Sequence, residues 1–212
     1  MDYLNKNFQE YAENYSTDED ELLKKINRET HLKVPMPRML SGHLQGIFLK
    51  MFSTALQPKC ILEIGTYTGY SGICLAKGLS ENGRLITIDI NDELENMVRG
   101  YFKESGLERK IDYKLGNALD IIPELDIQPD LVFIDADKKN YLNYYKMIID
   151  KLRPGGFILV DNVWWSGKVL NEKKDKDTTA IHEFNEFVHH DKRVENFLLP
   201  IRDGIMILRK LA

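Results

Sequence analysis

From Cys60 onward, the chain alternates short apolar runs with stretches of helical periodicity. Such alternation is typical of βαβ units, in which helices cover both faces of a largely parallel sheet. The runs predicted to be strands read CILEIG, RLITIDI, IDYKLGN, DLVFIDAD and GGFILVDN. Two later runs, VENFLLPI and GIMILRK, lie close enough in the chain to form a hairpin at one edge of the sheet. The pattern therefore predicts an α/β fold with helices on both faces.

The first 56 residues follow a different pattern and are predicted to be helical from about residue 3. The clearest segment, DEDELLKKINRETHL, offers Asp18 as a cap, with Glu21 three residues later. A length of 212 residues fits one domain. We expect residues 1–56 to form its helical N-terminal part and residues 57–212 to form the α/β core.

Composition argues against several functional classes. The net charge of −4 gives no overall basic signal for nucleic acid or anionic membranes. No apolar run reaches membrane-spanning length, and the polar, acidic N-terminus resembles neither a signal peptide nor a transit peptide. Cys60 and Cys74 lie in apolar contexts and are predicted to be small core residues. We expect a cytoplasmic protein with no membrane partner.

The end of the first predicted strand indicates a nucleoside cofactor. In LEIGTYTGYSG, Gly65 and Gly69 permit a tight turn and close approach of a ligand. Asp89 ends the second strand, 26 residues after Glu63, where an acid commonly binds ribose hydroxyls. Tyr67 replaces the second glycine of the dinucleotide motif, so S-adenosylmethionine fits better than NAD. The alternative is a strand-to-helix turn that binds no ligand.

The fourth and fifth predicted strands end in acids. Asp135 follows one strand, and Asp161 and Asn162 follow the next. Because the carboxyl ends of neighbouring parallel strands meet at one edge of a sheet, these oxygen donors are expected to form a site for Mg²⁺ or Ca²⁺. The alternative is that Asp135 and Asp161 only cap turns.

The segments LEIGTYTGYS, ITIDI, FIDADKKNY and LVDNVWWSG together resemble the motifs of the cation-dependent class I O-methyltransferases, the family of caffeoyl-CoA and catechol O-methyltransferases. The resemblance extends from RMLSGHLQG to DGIMILRK, which is most of the chain. It implies a Rossmann-like, seven-stranded methyltransferase sheet whose last hairpin adds an antiparallel strand. It also implies S-adenosylmethionine as cofactor and a homodimer.

The resemblance implies roles for individual residues as well. Asp89 matches the ribose-binding acid of the family, and Lys138 matches the lysine assigned as general base in catechol methylation. Asp135, Asp161 and Asn162 match the metal ligands, with Mg²⁺ expected and Ca²⁺ or Mn²⁺ as alternatives; Asp135 also counts as a cofactor and catalytic residue. The remaining positions that match cofactor contacts are Ser41, Glu63, Gly65, Thr66, Ser71 and Ala118, with Asn117 where relatives often carry an acid beside the adenine.

Trp164 and Trp165 follow the metal residues directly and can form a flat wall for an aromatic acceptor, or simply pack the loop against the sheet. We therefore expect methyl transfer to a phenolic small molecule with vicinal hydroxyls. One alternative is O-methylation of a hydroxylated uridine in tRNA, which the acidic net charge disfavours. It would use a local basic loop containing Lys168, Lys173, Lys174 and Lys176. The other alternative, a nucleotide-binding oxidoreductase, lacks the dinucleotide glycine motif.

Overall fold

A computed structural model describes residues 6–212. The helices are α1 (Lys6–Asn14), α2 (Glu21–Lys33), α3 (Gly42–Leu56), α4 (Tyr70–Ala76), α5 (Glu95–Glu104), α6 (Ala118–Glu124), α7 (Tyr141–Ile149) and α8 (Lys176–His190). The strands are β1 (Cys60–Ile64), β2 (Arg84–Asp89), β3 (Ile111–Leu115), β4 (Leu131–Ile134), β5 (Phe157–Val160), β6 (Val194–Leu199) and β7 (Ile205–Lys210). All seven strands belong to one mixed sheet, which confirms the predicted α/β fold. No helix in the described part of the chain has the length and apolar character needed to cross a membrane.

Contacts divide the described chain into two compact units, an N-terminal unit of residues 6–117 and a C-terminal unit of residues 118–212. The N-terminal unit holds three parallel strands in the order β3-β2-β1. Every residue of β1 is buried, as expected for a strand covered on both faces. Glu63 is the one ionisable carboxylate in that strand, and it lies opposite Thr87 of β2. A buried acid in an apolar strand needs hydrogen-bonding partners, and its neighbours provide them.

The start of α2 corrects one prediction. Asp20, rather than Asp18, is the N-cap, because its Oδ1 accepts a hydrogen bond of 3.0 Å from the Leu23 amide. Its other oxygen pairs with Lys77, which follows α4. Within the described residues, the helical N-terminal segment comprises three α-helices, with breaks at residues 15–20 and 34–41.

The C-terminal unit holds the other four strands, in the order β4-β5-β7-β6. β4 and β5 are parallel, with Ile134 opposite Val160, so the residues that follow both strands emerge at the same edge. β7 runs antiparallel to both β5 and β6, which confirms the predicted terminal hairpin. Tyr141 and Phe184 join α7 to α8 through an edge-to-face contact with centroids 5.8 Å apart.

Gly78 tests the packing of the N-terminal unit. A Cβ on Gly78 would lie 2.3 Å from the Thr54 amide nitrogen and 2.4 Å from the Ser53 carbonyl carbon, both in the backbone of α3. We expect Gly78→Ala to lower the free energy of unfolding by about 1–3 kcal/mol, the usual cost of overpacking. Gly100, inside α5, serves as the control, because a Cβ on this residue would have no atom within 4 Å apart from its chain neighbours and the backbone of its own helix.

Gly100→Ala should raise the free energy of unfolding by about 0.5–1 kcal/mol, because alanine restricts the unfolded chain and favours the helix. Urea titration followed by circular dichroism measures both values. Equal effects of the two substitutions would contradict the close approach of residue 78 to α3.

Candidate functional site

The loop after β1 is fastened to the end of β2 through Asp89. The Tyr67 amide donates to Asp89 Oδ2 at 2.6 Å, and the Asn91 amide donates to Oδ1 at 2.9 Å. Gly65, with φ of 101°, starts the turn in a conformation that favours glycine. The half-buried Asp89 carboxylate is therefore fixed by two backbone donors. Each oxygen keeps further acceptor capacity, as recognition of two ribose hydroxyls requires.

Glu63 is completely buried and is held by hydroxyl groups. Ser71 donates to its Oε1 at 2.6 Å, and Thr87 donates to its Oε2 at 2.5 Å. The Thr66 hydroxyl lies 2.6 Å from that of Thr87, whose proton is already directed at Glu63, so Thr66 is the donor. A Cβ on Gly72 would approach Oε2 to 2.8 Å, so glycine leaves room for the carboxylate. The network fixes the loop and the first turn of α4 onto β1 and β2.

The structure thus brings together five of the predicted cofactor residues in the N-terminal unit: Glu63, Gly65, Thr66, Ser71 and Asp89. The other predicted residues lie on separate elements. Ser41 is buried just before α3 and does not cap that helix with its side chain. Asn117 is exposed in the loop after β3, and Ala118 is the buried first residue of α6. Their cofactor roles stay predictions.

In the C-terminal unit, two predicted metal ligands converge on one cationic group. The Lys138 ammonium donates to Asp135 Oδ1 at 2.9 Å and to Asn162 Oδ1 at 2.8 Å. It also donates to the Tyr141 hydroxyl at 2.5 Å, which in turn donates to the Asp161 backbone carbonyl at 2.9 Å. The parallel pairing of β4 and β5 explains why residues distant in sequence meet here.

Asp161 completes the predicted ligand set. Its side chain is buried, and its Oδ1 accepts a hydrogen bond of 2.8 Å from the Asn162 amide. Asn162 has φ of 59°, a left-handed conformation that asparagine tolerates better than most residues. Two carboxylates and an amide oxygen suit a hard divalent cation. Among the described residues, no group of three His, Cys, Asp or Glu side chains offers an alternative metal site.

The protonation of Lys138 follows from these neighbours. Burial lowers its pKa, but the Asp135 carboxylate and the Tyr141 hydroxyl outweigh burial, so the pKa lies above its ordinary value. In this arrangement Lys138 is an ammonium that neutralises Asp135. Its predicted role as a base stays a prediction, because only the neutral amine can accept a proton. Sequence reasoning missed Tyr141, for which the only signal was its position three residues after Lys138.

The two tryptophans have different surroundings. Trp164 packs against Gly204, where an added Cβ would lie 2.9 Å from the indole. The Trp165 ring centroid lies 5.7 Å from the Lys138 nitrogen and 5.6 Å from the Lys168 nitrogen. Its Nε1–H is buried without a hydrogen-bond partner among the described residues. Trp165 thus lies next to Lys138 and the predicted metal ligands, whereas Trp164 packs the loop against Gly204. Trp165 is therefore the better candidate for the wall that would contact an aromatic acceptor.

Asp203, in the turn between β6 and β7, also belongs to this region, although sequence reasoning did not select it. Its Oδ1 accepts a hydrogen bond of 2.6 Å from the Ser166 amide. Burial raises the pKa of the Asp203 carboxyl, while the Ser166 amide and the Lys138 charge oppose that effect. Only the RDG turn signal in the sequence pointed to this residue, and a turn by itself does not reveal a partner 37 residues away.

Comparisons with known proteins agree on one family. A family model described as O-methyltransferase matches residues 13–211. Caffeoyl-CoA O-methyltransferase of Medicago sativa is 34% identical over 206 residues, which cover 91% of this chain and 83% of that protein. The O-methyltransferase TomG of Streptomyces achromogenes, solved in complex with SAM, has a TM-score of 0.90 and 29% identity over 97% of this chain and 96% of TomG. An O-methyltransferase of Bacillus cereus, solved with SAH, has a TM-score of 0.86 and 28% identity over 96% of this chain and 97% of that one.

Asp89 provides a test of the predicted cofactor site. We expect Asp89→Ala to weaken binding of S-adenosylmethionine by about 1.5–3 kcal/mol, the range for hydrogen bonds to a charged group. Isothermal titration calorimetry measures the affinity. Asp92→Ala, which removes an exposed carboxylate three residues away, is the control and should bind like the wild type. If Asp89→Ala bound S-adenosylmethionine as tightly as Asp92→Ala, the ribose would not lie at the end of β2.

Proposed function

The chain belongs to the class I O-methyltransferase family of the caffeoyl-CoA O-methyltransferases, and we propose that it methylates one hydroxyl of an aromatic small molecule with vicinal hydroxyls. Membership makes it an S-adenosylmethionine-dependent O-methyltransferase. The oxidoreductase alternative does not fit this family. The acceptor and a requirement for a divalent cation are the proposed parts.

One observation carries the proposal of a cation. Asp135 and Asn162 already direct their oxygens at a single positive centre, the Lys138 ammonium, beside the buried Asp161 carboxylate. Asp135, Asp161 and Asn162 would hold Mg²⁺, or Ca²⁺ or Mn²⁺ in its place. A cation bound there would lower the pKa of an acceptor hydroxyl and fix its position. Vicinal hydroxyls suit such a site because they can present two oxygens to one ion.

The chain's own residues account for the other requirements of the reaction. In the transfer, a bond forms between the acceptor oxygen and the methyl carbon while the bond from that carbon to the sulfonium sulfur breaks. Asp89 would hold the ribose of the methyl donor, and Trp165 would orient the acceptor ring. Orientation of this kind can supply much of the rate of a two-substrate reaction. Lys138 would take the hydroxyl proton at Nζ or, as an ammonium, stabilise the phenolate.

A second candidate acceptor is a hydroxylated uridine in tRNA. The segment of residues 166–176 supports it, because it contains four lysines against Glu172 and Asp175. The contacts of those lysines reduce this support. Lys168 lies 3.5 Å from Asp175, and Lys174 donates to the Asn171 carbonyl at 2.8 Å. Incubation with labelled S-adenosylmethionine and a panel of catechols, caffeoyl-CoA and unmethylated tRNA would distinguish the acceptors by which one carries the label.

The proposed cation site predicts loss of transfer when a ligand or the ion is removed. Asp161→Ala and Asn162→Ala should reduce Mg²⁺ affinity by at least the roughly 10–100-fold seen for changes outside a ligand shell. Chelator should stop wild-type transfer, and added Mg²⁺ should restore it. Asn143→Ala, which changes an exposed asparagine of α7, is the matched control and should behave as wild type. Full activity in excess chelator would contradict the proposed cation site and favour the alternative that Asp135 and Asp161 only cap turns.

The role of Lys138 can be resolved by varying acceptor acidity. If Lys138 accepts the proton, Lys138→Met should lower the rate at neutral pH by about 10²–10⁴, as typical for loss of a general base. The defect should shrink with rising pH and for catechols with a more acidic hydroxyl. Single-turnover rates measure this, with Lys139→Met, an exposed neighbour, as control. A defect that is constant across pH and acidity would instead favour a permanent ammonium that stabilises the phenolate.

A further inference from the structure

The turn between β6 and β7 holds the segment that carries both tryptophans. We name residues 162–166 the tryptophan loop. The Val163 amide donates to the Gly204 carbonyl at 3.2 Å, and the Trp164 amide donates to the Asp203 carbonyl at 2.9 Å. The Ser166 amide donates to the Asp203 side chain at 2.6 Å. The turn therefore holds the first half of the loop through its backbone and the end of the loop through the Asp203 carboxylate.

The tryptophan loop has a backbone that needs such support. Asn162, Trp165 and Ser166 have φ values of 59°, 50° and 53°, in the left-handed region. Each non-glycine residue in this region costs about 1–2 kcal/mol, so surrounding contacts must stabilise the conformation. The Asp203 carboxylate binds the amide of one of the three, Ser166, and Trp165 is the residue directly before it. Loss of that hydrogen bond would let this end of the loop relax.

The position of the loop matters for acceptor binding because it contains two residues of the candidate site. Asn162 contributes its side-chain oxygen to the proposed cation site, and Trp165 lies 5.7 Å from the Lys138 nitrogen. We propose that Asp203 is a positioning residue, which acts through the Ser166 amide to set Trp165 for acceptor binding. This inference rests on the proposed function for its kinetic consequence. Its structural consequence is independent of the reaction.

Intrinsic fluorescence gives a direct readout of the loop. The chain has two tryptophans, Trp164 and Trp165, and both lie in it. Asp203→Ala should shift the tryptophan emission to longer wavelength and increase its quenching by acrylamide, because the indoles become more exposed. Asp203→Asn should resemble the wild type, since its amide oxygen can still accept from Ser166.

The kinetic arm separates positioning from a general loss of stability. Asp203→Ala should raise the KM for a catechol acceptor about 10–100-fold, the loss expected for one hydrogen bond to a charged group. S-adenosylmethionine affinity should not change, and Asp203→Asn should restore most of the acceptor KM. Asp191→Ala is the control, because it removes a carboxylate that likewise accepts a backbone amide, that of Arg193 at 2.9 Å, outside the loop. It should change neither the emission nor the acceptor KM.

The outcomes are distinguishable. Unchanged emission and KM in Asp203→Ala would overturn the inference, and so would an Asp203→Asn variant as defective as Asp203→Ala, because the charge would then act directly. If the wild type methylates no catechol, the proposed function fails, yet the emission spectra still decide the role of Asp203. If Asp203→Ala does not fold, the contact is tested instead by measuring hydrogen exchange of the Ser166 amide in the wild type. Protection of that amide is expected, and rapid exchange would refute the contact.

Discussion

The parallel pairing of β4 with β5 is the constraint on which the candidate acceptor site depends. With Ile134 opposite Val160, the chain leaves both strands at one level, and Asp135 and Asn162 direct their oxygens at the same point. A shift of one residue in this register would turn alternate side chains to the other face and separate the donors. The buried, apolar strands therefore determine the geometry of the polar cluster, although they contribute none of its chemistry.

The cluster also has a consequence for the proposed divalent cation. An ammonium among Asp135, Asn162 and Tyr141 satisfies the same oxygens that a hard cation would use. Entry of an ion at this point requires the Lys138 nitrogen to give up some of these contacts. The same movement would remove part of the electrostatic reason for the raised pKa of Lys138. In the proposed function, cation binding and the availability of Lys138 as a base would therefore be coupled, because the ion and the ammonium compete for the same oxygens.

The strand ends could be predicted from sequence because both the apolar runs and the acids that follow them are local signals. Glycines after β1, Asp89 after β2 and the acids after β4 and β5 were all visible in this way. Local signals did not identify Asp203, whose importance comes from a partner 37 residues earlier in the chain. The choice of Asp18 over Asp20 has a different cause, because the bond from the Leu23 amide to Asp20 is itself local and the sequence offers two aspartates just before α2. Only the pairing of Asp20 with Lys77, like that of Asp203 with Ser166, joins segments far apart in sequence, and no periodicity encodes such contacts.

Two acidic groups, Glu63 and Asp135, have different kinds of hydrogen-bond partner, and the difference distinguishes a structural role from a chemical one. Glu63 is completely buried and receives hydroxyl hydrogen bonds from Ser71 and Thr87, which belong to the secondary structure around it. Such partners cannot leave without disrupting β2 or α4, so Glu63 holds a fixed platform under the glycine loop. Asp135 is satisfied by a lysine at the end of a flexible stem, next to a loop with three left-handed residues. A charge neutralised by a movable partner can respond to a ligand, and this is the property that the proposed function assigns to Asp135 rather than to Glu63.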